Sequence, residues 1–175
     1  MPAGITLSLA MLGWLAMAQA DAFSEFKARV TAYAQLRTDV QRDLGLFAAP
    51  QESAADLGKG AHRLAEGIRK ARRDAKRGDL LTPSGEKAFL NILRPLLTGP
   101  EGAAILKTIR ADLPTAFELQ VNAEYPEAQA LTTVPIDVLH ALPQLPRDVE
   151  YRFAPRHLLL FDSRANVILD YLQIY

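Results

Sequence analysis

The spacing of apolar residues changes once along this chain, near Pro114, and that change limits the fold more than any other feature. Before it, apolar side chains recur every three or four residues, the stripe of an amphipathic helix. Phe23, Phe26, Val30, Tyr33, Arg37, Val40 and Leu44 form such a stripe from about Ala22 to Leu46. A second runs through Leu57, Ala61, Leu64, Ile68, Ala71 and Ala75 between Glu52 and Lys76, joined to the first by a short connection at 47–51. Gly60 and Gly67 lie beside it, where they would admit a close neighbour. Thr82-Pro83 reads as an N-cap with proline in the first helical position, opening a third helix that carries Phe89, Ile92, Leu93, Leu96 and Leu97 and that Pro95 should kink or shorten. A fourth starts at Thr98-Gly99-Pro100-Glu101 with Ala104, Ile105, Ile109 and Leu113 inward.

Beyond Pro114 the period is two. Phe117, Leu119, Val121 and Ala123 alternate with polar residues, which predicts a strand. A proline-rich loop follows from Tyr125 to Pro146, with a helical turn or two at Ile136 to Leu142. Three short strands then follow, Val149 to Phe153, His157 to Asp162 and Val167 to Leu172, with hairpin-length connections. The middle one, HLLLFD, is apolar on both faces and belongs inside a sheet covered on both sides. Helices first and strands afterwards predict an α+β fold, a four-helix region over 22–113 packed on a small antiparallel sheet of three to four strands over 115–175, in one domain spanning 21–175.

Composition separates the first twenty residues from this domain. The chain carries 20 Lys+Arg and 20 Asp+Glu, and all of these lie after Ala20. Ile5 to Met17 is mainly apolar and is followed by Ala18-Gln19-Ala20, the layout of a secretory signal peptide over 1–20 cleaved after Ala20. No Lys or Arg precedes the apolar run, so an uncleaved N-terminal anchor is the alternative. The run is short for about 30 Å of hydrocarbon. Charge balance argues against a nucleic-acid partner, since phosphate neutralisation needs a basic surplus. The absence of Cys excludes thiolate chemistry, disulfides and cysteine zinc sites.

The segment from Leu142 to Tyr175 resembles the C-terminal end of a group of uncharacterised exported bacterial proteins. Leu145-Pro146, Tyr151-Arg152-Phe153, the apolar strand ending at Asp162, Ala165-Asn166 and Ile168 through Tyr171 carry the resemblance. Thr82-Pro83 and Val121 through Pro126 look similar as well. The resemblance implies export and a single domain, and it transfers no catalytic or binding residue.

Three groups of residues invite chemistry. Arg69, Lys70, Arg72, Arg73, Lys76 and Arg77 form a basic cluster that could hold an anionic envelope component, although cations also gather at helix C-termini to complement the dipole. The sheet carboxylates Asp162 and Asp170, with His157, could support acid/base hydrolysis. The bland alternative has Arg152 and Asp170 as cross-strand partners, in a row with Leu159, and Asp162 capping the turn after it. Ser84 and Lys87, like Ser24 and Lys27, have the Ser-x-x-Lys spacing of a nucleophile and its base, without the companion motifs of that chemistry. The three histidines have no metal-ligand spacing, so no metal and no cofactor is expected. The expected function is an exported, periplasmic or secreted, non-enzymatic binding or accessory domain of the bacterial envelope, with an unidentified envelope component or protein as partner. The alternatives are an envelope hydrolase using the sheet carboxylates and a membrane-tethered scaffold held by residues 3–20.

Overall fold

The computed structural model of the protein describes residues 6–46, 54–100, 102–111, 118–126 and 134–174. Helix α1 spans Thr6–Asp43, α2 Ala54–Ala71, α3 Pro83–Thr98, α4 Gly102–Ala111 and α5 Ile136–Ala141; strands β1 Val149–Ala154, β2 His157–Asp162 and β3 Val167–Gln173 follow. This is the α+β order that the change of period implies. The strands form one antiparallel sheet in the order β1-β2-β3.

The stripe on α1 faces inward as its spacing requires: Phe26, Val30, Tyr33 and Arg37 are buried. Its aromatic rings meet edge to face across the layers, Phe26 on Phe89 of α3 at 4.9 Å and Phe89 on Tyr151 of β1 at 5.9 Å. Helix α3 starts where Thr82-Pro83 indicates, with the Gly85 amide donating to Thr82 Oγ1 at 3.3 Å. Pro95 does not shorten it; the helix runs on to Thr98 and closes with the Gly99 amide on the Pro95 carbonyl. On α2 burial is concentrated at Leu64, Ala65 and Ile68, whereas Leu57, expected inward, is 50% exposed. Ala104 of α4 faces solvent, with Ile105 and Leu106 half-buried against the core. The 47–51 connection, Phe117 and Leu113 fall outside the described residues, as does the side chain of Ile109.

At Gly67 helix α2 comes close against α1. A Cβ there would lie 2.5 Å from Val40 Cγ1, and a β-branched side chain has no free rotamer to withdraw into. Gly67→Ala should therefore cost about 1–3 kcal/mol, in excess of the ~1 kcal/mol it gains in helix propensity. At Gly60 the nearest atom is 3.9 Å away, so Gly60→Ala should stabilise by roughly 0.5–1 kcal/mol. Urea denaturation of the two variants checks the opposite signs.

Strand β2 is central and covered on both faces, as its apolar run predicts. The helical layer packs on Leu158 and Leu160, and Leu119 and Tyr125 pack on Leu159 and Phe161. The segment that supplies Leu119 and Tyr125 is not the strand its alternation suggests. Asn122 has a φ of 65°, which breaks the extended run. Glu124 makes one antiparallel bridge to Val167, and the Asn122 and Tyr125 amides donate to the Ile168 and Asn166 carbonyls. Asn122 also uses its side chain, donating Nδ2 to the Arg69 and Arg72 carbonyls at 3.0 Å and so capping the end of α2.

The β2–β3 register holds the main departure from expectation. Leu160 lies opposite Asp170 and Phe161 opposite Ile168, so Leu169 is an extra residue in a β-bulge. A one-residue insertion moves the rest of the strand to the other face. Leu159 consequently faces Tyr171, and the expected row of Arg152, Leu159 and Asp170 does not form. Arg152 pairs instead with Glu150 on its own strand.

Candidate functional site

Both sheet carboxylates point into the layer between the helices and the sheet, and both are fully buried. Asp162 closes β2 directly beneath α1. Its Oδ2 accepts from Tyr33 Oη at 2.6 Å and from Arg37 Nε at 2.7 Å. Its Oδ1 accepts the Arg164 and Ala165 amides at 3.1 and 2.8 Å, the turn capping its position suggests. Arg37 spreads its remaining nitrogens to Asp148 Oδ2 at 2.9 Å and Gln41 Oε1 at 3.2 Å. An arginine on an apolar helical stripe thus meets a carboxylate at the end of the central strand, and no oxygen of Asp162 is left for a substrate.

Asp170 does the same for the α2–α3 connection. Its Oδ2 accepts the Leu80 and Leu81 amides, each at 2.9 Å, and the Gly78 amide lies 3.1 and 3.2 Å from its two oxygens. A carboxylate held by backbone amides fixes the loop from Gly78 to Leu81 against the sheet. His157 stands at the opposite end of β2 from Asp162, its Nδ1 2.6 Å from the Pro155 carbonyl and its ring edge-on to Tyr171. Five residue steps along the strand lead from it to Asp162, about 16 Å at the usual rise. The three residues share no cleft among the described residues.

The basic cluster divides in two. Arg69 pairs with Glu124 at 3.0 Å, and Arg77 reaches Glu86 at 3.2 Å while its guanidinium lies 5.3 Å from the Tyr171 ring centroid. Arg72 folds inward over the Tyr33 ring and donates Nη2 to the Leu169 carbonyl at 3.1 Å, and burial lowers its pKa. Lys70, Arg73 and Lys76 stay exposed, Arg73 with a long contact to Asp74 at 3.4 Å. Ser84 donates to Glu25 Oε2 at 3.2 Å.

Two clefts border this framework. One of about 440 Å³ lies between α1 and the α2–α3 connection, where Arg29 and Arg72 are offset by Asp74 and Asp79. The other, about 400 Å³, lies between the C-terminal half of α1, the Pro146 to Asp148 turn and Arg164 after β2. Nothing in the sequence marks Arg147 and Arg164 on its wall, since each is a lone cation in a loop. Among the described residues no group of three or more His, Cys, Asp or Glu could hold a metal ion.

Burial raises the Tyr33 and Tyr151 phenols well above their ordinary value, with Asp162 adding to the effect at Tyr33. A group whose pKa is raised on folding supports the native state below its unfolded value and withdraws that support above it. Stability should fall as pH rises past about 10, by up to ~1.4 kcal/mol per unit for each phenol. Unfolding in urea between pH 8 and 12 measures this, and the slope should flatten in a Tyr33→Phe/Tyr151→Phe variant. The chain matches no protein family, no curated protein and no solved structure.

Proposed function

We propose that the chain is an exported protein of the bacterial envelope whose folded part acts as a non-enzymatic binding or accessory domain. One observation supports the binding reading over hydrolysis: the oxygens of Asp162 and Asp170 are occupied by the fold's own donors. A general acid or base needs a carboxyl group within reach of a substrate proton. Cationic groups remain exposed on Lys70, Arg73 and Lys76 and on the walls of the cleft beside Arg37.

The tethered alternative is favoured by the continuity of α1, a single helix of 38 residues that runs through the small-residue site at Ala18 to Ala20. Among the described residues no helix is long and apolar enough to cross a membrane. Expression of the full chain in a bacterial host, followed by fractionation and intact-mass measurement, separates the readings. A periplasmic or secreted species beginning at Asp21 is expected. Full-length chain in the membrane fraction would replace that reading by the tether, and full-length chain in the cytosol would overturn export altogether.

A further inference from the structure

We infer that the cleft beside Arg37 is a site for an oxyanion, a carboxylate or phosphate group of a ligand, held by Arg147, Arg164 and Gln41. This rests on the reading of the chain as a binding domain but not on its export.

The fold has spent some of the donors around this cleft and left others free. Arg37 forms one wall and is consumed by Asp162, Asp148 and Gln41. The Gln41 carbonyl oxygen is taken by Arg37, which fixes the amide so that its Nε2 is the end left without a partner among the described residues. The Arg164 backbone amide is pinned to Asp162, and its guanidinium has no partner among the described residues. Arg147 is 93% exposed at its side chain and only 3.9 Å from Asp148, too long for a hydrogen bond. Asp148 gives its Oδ2 to Arg37. Three guanidinium groups therefore face two carboxylates, Asp162 with both oxygens bonded and Asp148 with Oδ2 bonded. The surplus is one positive charge, and the groups still free to bond are the Arg147 and Arg164 guanidiniums and Gln41 Nε2 as donors, with Asp148 Oδ1 as the one carboxylate oxygen not taken among the described residues.

A surplus of cationic donors over acceptors at the rim of a cleft suits an anion better than a cation. Arginine forks match the two oxygens of a carboxylate or phosphate. The larger cleft lacks this bias, since Asp74 and Asp79 offset its arginines. Arg147 and Arg164 stand on turns whose backbone is set by Asp162 and by the hydrogen bond from the Ser163 amide to the Asp148 carbonyl at 2.9 Å, and both line the same cleft.

The test is a titration of the purified full chain with inorganic phosphate and, separately, with malonate, at constant ionic strength, followed by amide chemical shifts. Saturable shifts confined to Gln41, Arg147, Arg164 and Ala165 are expected, with affinity falling at least tenfold in Arg147→Gln/Arg164→Gln and unchanged in Arg94→Gln on α3. Tighter binding of phosphate than malonate assigns a phosphoryl group, and the reverse a carboxylate. No saturable shift with either anion, or equal affinity in the double variant, overturns the inference. Because the intact-mass experiment reads only the address of the protein, failure here leaves the export proposal standing, and failure there leaves this one standing.

Discussion

Asp162→Ala is expected to lower the free energy of unfolding by about 3–5 kcal/mol, the usual cost of removing one member of a buried ion pair. For a chain of this length that moves Tm down by roughly 10 °C. The substitution strands four donors at once. Arg37, 6% exposed, keeps only Asp148 as a counter-ion; Tyr33 loses its acceptor; and the Arg164 and Ala165 amides lose the cap of their turn. Asp162→Asn retains one oxygen for the turn amides and should lose less. Urea denaturation followed by circular dichroism gives both values, and a loss under about 1 kcal/mol for the alanine variant would mean the network is not holding α1 to the sheet.

Asp170→Ala should cost about 2–5 kcal/mol, because the Leu80 and Leu81 amides are buried and each unsatisfied donor carries a penalty of about 1–3 kcal/mol. The damage should be local as well as global. With the carboxylate gone the Gly78 to Leu81 loop loses its hydrogen bonds to β3, so amide exchange at Gly78, Leu80 and Leu81 should accelerate more than at β2. Uniform acceleration across the sheet would instead indicate that the loop has no independent opening.

The regular parts of this fold were legible because they depend on local period. The three C-terminal strands, the two-sided burial of HLLLFD, the inward stripe of α1 and the Thr82-Pro83 cap can each be read within a few residues. The bulge at Leu169 could not, since VILDYLQ contains no glycine or other mark of an inserted residue, yet it decides which face Asp170 takes. The 118–126 segment misled for the opposite reason: its alternation is that of a strand, but Asn122, a residue that tolerates positive φ, turns it. For the site, Arg37 on an apolar stripe was a visible signal of a buried partner. The partners, Asp148 and Asp162, lie 111 and 125 positions away, beyond any reading of period. The contiguous basic cluster drew attention by proximity in sequence, and the fold spends Arg69, Arg72 and Arg77 on internal contacts. Arg147 and Arg164 become neighbours of one cleft only through the turns that the buried network positions.

The sheet carboxylates serve the fold by clamping helices and loops to the sheet. A double-mutant cycle on Arg37→Met and Asp162→Asn, measured by urea unfolding, tests this most directly. A coupling energy of about 1.5–3 kcal/mol is expected, in the upper part of the ~0.5–3 kcal/mol span for residues sharing one hydrogen-bonded network. Additivity within about 0.5 kcal/mol would contradict it, because two groups that do not support each other cannot be a clamp.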